Sequence, residues 1–147
     1  MRQLRTGEKD SIVKVFTDND LTTFAEITCD YNPMHLDDDY VGETSFGKKI
    51  AHGMHVSALI SAVVGTKLPG PGTIFLTQSM SYLSPVFVGD SITAEVEIME
   101  IARKGFVFLN LSCRNQDGVT VIEGQANVKV PRSWTTEHLA TILPVKN

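Results

Sequence analysis

The segment CDYNPMHLDDD (29–39) brings together residue types that can perform acid/base chemistry. Asp30 and His35 lie five residues apart on either side of Pro33, in a chain with four histidines. A carboxylate can accept a proton from water, and an imidazole, with a pKa near ~6.5, can give or accept a proton near neutral pH. The pair could therefore hold and activate one water molecule. The same residue types are common in surface turns, so on their own they indicate nothing more than a loop.

A strand and a helix are predicted to lead into this segment. SIVKVF (11–16) has the composition of a short strand, and Thr17 to Asp20 supply capping residues for a helix that begins before Leu21. The helix is predicted to end near Asp30, because Pro33 cannot continue it and disfavours a helical Asn32. The following residues, 37–42 and 44–49, are predicted to be irregular, with the acidic run 37–39 solvated.

The segment GMHVSALISAVVG (53–65) is apolar almost all the way round. Such a pattern predicts a helix that is buried on every side and that needs a sheet around it. Gly53 falls at its start, where backbone N–H groups lack helical partners and the helix dipole favours a developing oxyanion. Glycine also allows a substrate to approach the backbone closely.

The second half of the chain has the pattern of a sheet. From Thr73 onward the sequence is strand-like, and apolar residues alternate with polar ones at period two in Ile92, Ala94, Val96 and Ile98. ARKG (102–105) and NQDG (115–118) separate the later runs as hairpin turns would. We therefore predict an α+β fold, a curved antiparallel sheet wrapped around one central helix, in a single domain spanning residues 1–147.

The composition narrows the classes of partner. At 147 residues, 42% hydrophobic and 20% charged, the chain fits one globular domain. The net charge of −4, without a basic stripe, argues against a nucleic-acid partner. The start lacks the apolar run of a signal peptide, and the most hydrophobic segment, 54–64, is too short to span a bilayer. We expect a cytoplasmic protein without a membrane partner, in which Cys29 and Cys113 remain free thiols.

A resemblance to a known family rests on four segments in order: DYNPMH (30–35), IAHGM (50–54), LPGPG (68–72) and PVFVGD (85–90). Together they resemble the MaoC-like (R)-specific enoyl-CoA hydratases of the hotdog fold. Four ordered matches over most of the chain are far more specific than one. The resemblance implies hydration of a trans-2-enoyl-CoA to the (R)-3-hydroxyacyl-CoA by a homodimer. It also implies that the acyl-CoA thioester is the only small molecule required, with no metal and no redox cofactor.

Hydration of a conjugated thioester needs a base for water, a proton for C2 and a donor for the enolate oxygen. Asp30 fits the base, His35 the proton carrier and the Gly53 N–H the oxyanion donor. We predict that Asp30 is ionised and His35 protonated in the reactive form, so that kcat/KM has a bell-shaped dependence on pH. If neutral His35 only orients the water while Asp30 removes and returns the proton, one acidic limb leads to a plateau.

Two further residues are predicted to contact the substrate or its neighbours. Asn32 orients the acid/base pair or the substrate through its amide, or else forms a loop-stabilising Asx hydrogen bond. The family pattern implies a serine at position 61, beside the acidic residue, although its hydroxyl can also bond back to its own helix. A metal site of His35 with His52 and His55 is disfavoured. The resemblance implies a structural role for His52, and it places His55 at a position that is variable and apolar in the family.

The carrier of the acyl group is left open by the sequence. Coenzyme A is polyanionic, so basic residues must gather at the pocket mouth of this acidic chain; those available are Lys48, Lys49, Lys67, Arg103, Lys104 and Arg132. The alternatives are a 3-hydroxyacyl dehydratase acting on acyl carrier protein, a thioesterase, and a non-catalytic acyl-thioester binding module. A carrier-protein enzyme would need a basic docking surface, because carrier proteins are acidic.

Overall fold

Five antiparallel strands curve around one long helix in the computed structural model, which describes residues 3–134. The predicted domain therefore extends at both ends beyond the described residues. The elements, in chain order, are β1 (Lys9–Val15), α1 (Asp18–Thr28), α2 (Pro33–Leu36), α3 (Asp38–Gly42), α4 (Gly53–Thr66), β2 (Ile74–Tyr82), β3 (Ser91–Ile101), β4 (Phe106–Arg114) and β5 (Thr120–Lys129). This confirms the predicted α+β class and the arrangement expected of a hotdog fold.

The strands lie in the order β1-β3-β4-β5-β2. Only β3, β4 and β5 form the predicted meander, while β2 crosses to the far edge and pairs with β5. The alternation in β3 is confirmed, since Ile92, Ala94, Val96 and Ile98 are buried. Both predicted turns contain residues with positive φ, among them Gly105 and Gly118. The edge strands of the sheet are therefore β1 and β2.

Helix α4 forms the centre of the core. Val56, Ile60 and Val63 on it are at most 1% exposed and pack against the sheet. The prediction that α4 is buried on every side is wrong, because Met54, Ala58 and Ser61 are exposed. A single sheet covers one side of a helix, and the apolar pattern could not show that the other side stays uncovered within this chain.

The connection between α1 and α4 contains two short helices, α2 and α3, and α3 lies where the sequence predicted irregular structure, at residues 37–42. The Asn32 side chain accepts a hydrogen bond from the Met34 N–H, at 3.1 Å, and so caps α2. Asp37 caps α3 in the same way, at 3.0 Å from the Tyr40 nitrogen. Pro33 thus starts a helix as well as preventing α1 from continuing, since its fixed φ suits a first helical position. The acidic run supplies a cap and a first turn.

Helix α1 has the predicted boundaries. Thr17 and Asp20 form a reciprocal capping box at its start, and Cys29 ends it in a left-handed conformation, with φ of 60°. Cys29 is an exposed free thiol. Cys113 is a buried free thiol, and burial raises its pKa to about 12. Two unpaired cysteines are therefore confirmed. No helix within residues 3–134 is long and apolar enough to cross a membrane.

Candidate active site

Asp30, His35 and His52 converge where the α1–α2 connection meets the start of α4. One carboxylate oxygen of Asp30 and one ring nitrogen from each histidine lie within 4.8 Å of one another. Asp30 follows the end of α1, His35 lies on α2, and His52 immediately precedes α4. Atoms of Asp30 and His35 at this separation can be bridged by a single water, with hydrogen bonds of ~2.8 Å on each side.

His35 is held in one tautomer by the backbone. Its Nδ1–H donates to the Ile50 carbonyl at 2.7 Å, which leaves Nε2 as the nitrogen with a free lone pair. Burial lowers the pKa of His35 below its usual value of 6.5, because the imidazolium loses hydration. The Ile50 bond and the Asp30 charge raise this pKa, whereas the nearby His52 lowers it. The net direction is downward, so the neutral ring predominates at neutral pH.

His52 fixes the position of both neighbours. It is only 2% exposed, and its Nε2–H donates to the Asp30 carbonyl at 3.0 Å. Its ring stacks on His35 with the centroids 3.7 Å apart. The Asp30 carboxylate is itself oriented, because its Oδ1 accepts from the Asn32 N–H at 3.2 Å. These contacts give His52 the structural place that the resemblance implied.

A cavity of about 450 Å³ opens beside the cluster. His35 and Gly53 line it, and apolar side chains from α4, the β2–β3 connection and β5 form much of the remainder, among them Val56, Val86 and Ile122. Within residues 3–134 the Gly53 N–H has no hydrogen-bond partner, as expected for the first residue of a helix. The cavity therefore combines an apolar wall, an unpaired N–H and one member of the acid/base pair.

The missing side chain of Gly53 also leaves room for the Tyr82 ring. A Cβ at this position would lie 2.7 Å from Cε1 of Tyr82, well inside van der Waals contact. Tyr82 comes from the end of β2 and lines the same cavity as His35. Nothing in the sequence pattern marked Tyr82, because it continues the ordinary alternation of a strand.

The predicted site residues are not all brought together. His35 and Gly53 line the cavity and Asp30 lies within reach of His35, while Asn32 uses its side-chain oxygen to cap α2. The Asx alternative for Asn32 is thus present, and a substrate contact through its amide stays a prediction. Ser61 lies about eight residues along α4 from Gly53, roughly 12 Å at 1.5 Å per residue. Its hydroxyl is exposed and has no hydrogen-bond partner among the described residues, so its predicted role also stays a prediction.

The same cluster has the residue types of a metal site, but its hydrogen bonds suit acid/base work. The ring N–H groups of His35 and His52 both donate to carbonyl oxygens, of Ile50 and Asp30. To bind a cation through Nε2, His52 would have to lose the proton that holds Asp30 in place. His55 is separate from the cluster and stacks on Phe24, with the ring centroids 4.6 Å apart.

Comparisons with known proteins identify the family of this chain. Residues 5–110 match the MaoC like domain family. The chain is 41% identical to the (R)-specific enoyl-CoA hydratase of Rhodospirillum rubrum, over 87% of this chain and 89% of that protein. It is 40% identical to the 3-hydroxybutyryl-CoA dehydratase of Methylorubrum extorquens, over 93% of this chain and 87% of that protein. The solved structure of the (R)-hydratase from A. caviae superposes with a TM-score of 0.86 at 39% identity, covering 89% of this chain and all of that one (100%).

The two interpretations of Asn32 can be separated by a pair of substitutions. We expect Asn32→Ala to lower the free energy of unfolding by about 1 kcal/mol and to reduce turnover, because α2 loses its cap and His35 its support. Asn32→Ser keeps a capping oxygen but lacks the amide, so it should retain most stability and turnover. Urea unfolding and steady-state kinetics give both quantities. An Asn32→Ser enzyme as impaired as Asn32→Ala, but fully stable, would instead show a direct contact of the amide with the substrate.

Proposed function

Because this chain belongs to the MaoC-like family, we propose that it adds water to a trans-2-enoyl-CoA to form the (R)-3-hydroxyacyl-CoA, and catalyses the reverse dehydration. One observation carries the proposal. His35 lines the same apolar cavity as the unpaired Gly53 N–H, and its ring lies within hydrogen-bonded reach, through one water, of the Asp30 carboxylate. His35 and Gly53 therefore line one space, and Asp30 would act on it through the water shared with His35.

The water is held by two acceptors. A water between the Asp30 carboxylate and the free Nε2 of neutral His35 donates one hydrogen to each. Its oxygen bonds to C3 while Asp30 takes one proton, and the electrons of the C2–C3 double bond move onto the thioester oxygen. The Gly53 N–H donates to that enolate oxygen, where the positive end of the α4 dipole also stabilises it. Asp30 then returns the proton to C2, so the water supplies both added groups.

This mechanism uses the neutral form of His35. The lowered pKa of His35 supports it over the imidazolium acid that the sequence predicted. The Ile50 carbonyl at Nδ1 leaves Nε2 of the neutral ring as the acceptor. Asp30, His35 and Gly53 fill every role in the reaction, and the proposal therefore includes no metal and no redox cofactor.

We propose coenzyme A, rather than an acyl carrier protein, as the carrier. The net charge of −4 disfavours a docking surface for an acidic protein. Lys48 lies over the Phe87 ring, 4.3 Å from its centroid. Phe87 pairs with Ile50, which lines the cavity, so this lysine is close to the opening through which a polyanionic carrier would pass. We place the reaction in the cytoplasm, because the exposed thiol of Cys29 suits a reducing compartment.

We further propose a homodimer that covers the β2 edge of the sheet. Within residues 3–134, β2 pairs with β5 alone, and its apolar residues Ile74, Leu76 and Tyr82 are 62%, 46% and 51% exposed. Met54, on the uncovered face of α4, is in contact with Tyr82 and extends this apolar surface. Pairing with a second copy would satisfy the free backbone groups of the edge and bury these side chains.

Loss of the enoyl thioester absorbance tests the activity and its residues together. We expect the wild type to hydrate crotonyl-CoA, with a higher kcat/KM than for the same acyl group on carrier protein. Asp30→Asn removes the base and should lower turnover ~10² to 10⁴-fold. His35→Phe keeps an aromatic ring but removes the acceptor that holds the water, so it should lower turnover by about tenfold or more. Asp30 is half-exposed, so Asp30→Asn should leave the melting temperature nearly unchanged. A variant that keeps more than about a tenth of wild-type turnover would remove that residue from the mechanism.

The protonation state of His35 predicts the shape of the pH dependence. Protonating either Asp30 or Nε2 of His35 removes an acceptor for the water, and the pKa of His35 lies below 6.5. We therefore expect kcat/KM for hydration to rise with pH through an acidic limb and then to stay level above neutrality. Rates measured between about pH 5 and 10 on stable enzyme provide the check. A second limb, falling at alkaline pH, would favour the imidazolium mechanism.

The dimer prediction has a matched control on the opposite edge of the sheet. Leu76→Lys should dissociate the dimer, because it places a charge in the proposed interface. Val13→Lys, on β1 and 64% exposed, should leave the dimer intact. Sedimentation velocity at micromolar concentration distinguishes these results. A fully active wild-type monomer, or equal dissociation of both variants, would contradict a dimer through β2.

A further inference from the structure

The Tyr82 ring packs against the Gly53 backbone in the wall of the cavity. The nearest atoms to a Cβ built on Gly53 all belong to this ring, with Cε1 at 2.7 Å, Cδ1 at 2.9 Å and Cζ at 3.4 Å. The ring is therefore in contact with the Gly53 Cα itself. Because Tyr82 and Gly53 also line one cavity, a substrate atom held inside it at the Gly53 N–H has this ring as a neighbouring wall.

The direction of Tyr82 follows from the register of the sheet. Tyr82 pairs with Ile122 of β5, whose side chain is 2% exposed and lines the cavity. Neighbouring residues across a sheet project to the same side, so Tyr82 projects toward α4. Its hydroxyl donates to the Met54 sulfur at 3.4 Å, which holds the ring against the first turn of the helix. Tyr82 and His35 are thus walls of one cavity.

The reacting part of the substrate fits between these walls. A thioester oxygen that accepts from the Gly53 N–H lies ~2.9 Å from the nitrogen, and C2 is only two bonds from that oxygen. C2 therefore lies within roughly 5 Å of the Gly53 nitrogen, in the part of the cavity that the Tyr82 ring borders. A hydrogen on C2 needs little room beside this ring, whereas a methyl group, with a contact diameter of ~4 Å, would press against it.

We propose that Tyr82 is a specificity-determining residue that selects enoyl thioesters without a branch at C2. The inference rests on the proposed hydration and on the Gly53 N–H as the oxyanion donor. It assigns to Tyr82 contact with the substrate and selection by shape, and no proton transfer.

The test compares crotonyl-CoA with its 2-methyl homologue, (E)-2-methyl-2-butenoyl-CoA. The quantity measured is the ratio of kcat/KM for the branched substrate to that for the unbranched one. The methyl group also changes intrinsic reactivity, but equally for every variant, so only the change in the ratio matters. We expect Tyr82→Ala to raise this ratio about tenfold or more, the usual effect of one carbon in a shaped pocket. A ratio within about threefold of the wild-type value overturns the inference, and a larger rise supports it.

Two control variants distinguish selection at C2 from a general loss of activity. Tyr82→Phe keeps the ring and loses only the bond to Met54, so it should keep the wild-type ratio. Leu83→Ala changes the next residue, which lines the same cavity and is equally exposed (51%) but is not among the nearest atoms to Gly53. It should change both rates in parallel. A ratio raised as much by Leu83→Ala as by Tyr82→Ala would show a wider cavity rather than selection at C2.

The folded and dimeric states are checked by melting temperature and gel filtration. Should Tyr82→Ala unfold or dissociate, Tyr82→Val provides the test, because a β-branched residue suits the strand and still removes the ring. The wild-type reaction keeps the two proposals distinct. If the wild type does not hydrate crotonyl-CoA, the proposed function fails. If it does, and the ratio is insensitive to Tyr82, only the inference about Tyr82 fails.

Discussion

The hydrogen bond from His52 Nε2–H to the Asp30 carbonyl connects the candidate chemistry to the core. His52 immediately precedes α4, whose buried face packs against the sheet, so its ring has a fixed place. Asp30 follows a helix that has already ended and would otherwise be free to move. Because His52 is almost fully buried, this bond is shielded from competing water and holds the backbone more firmly than an exposed one would. The acid/base segment is thus positioned relative to the same helix that provides Gly53.

The stacking of His52 on His35 has an electrostatic consequence as well as a positional one. Two imidazole rings 3.7 Å apart cannot both carry charge without strong repulsion. Partial burial acts on His35 in the same direction, and lowers its pKa. The Ile50 carbonyl meanwhile places the single ring proton on Nδ1. The environment therefore produces an acceptor at Nε2, which is the state that a bridging water requires.

At the start of α4, Gly53 serves both the packing of the chain and the proposed chemistry. Gly53 provides an unpaired N–H, and its missing side chain makes room for the Tyr82 ring. That ring comes from an edge strand whose apolar residues remain exposed in a single chain. The cavity mouth and the exposed edge are therefore adjacent, so that assembly through β2 would also enclose the space in which the substrate is expected to bind.

The sequence by itself determined the class of fold, the positions of α1, α4 and most strands, and the identity of Asp30, His35 and Gly53 as candidates. These depend on local signals: caps, periodicity, a proline, and motifs whose residues are neighbours in the chain. The sequence did not reveal the two short helices that Asn32 and Asp37 cap, because the polar residues of this segment are equally typical of a loop. Nor did it reveal that one face of α4 stays uncovered. The apolar pattern of a helix is the same whether its residues are covered by their own chain or left exposed. The tautomer and lowered pKa of His35, the bond from His52 to Asp30 and the Tyr82 wall were decided by the tertiary structure alone. Each is a contact between residues that are 15 to 29 positions apart in the chain: His35 with Ile50, His52 with Asp30, and Tyr82 with Gly53. The distances and burial that give these contacts their effect exist only once the sheet has closed around α4.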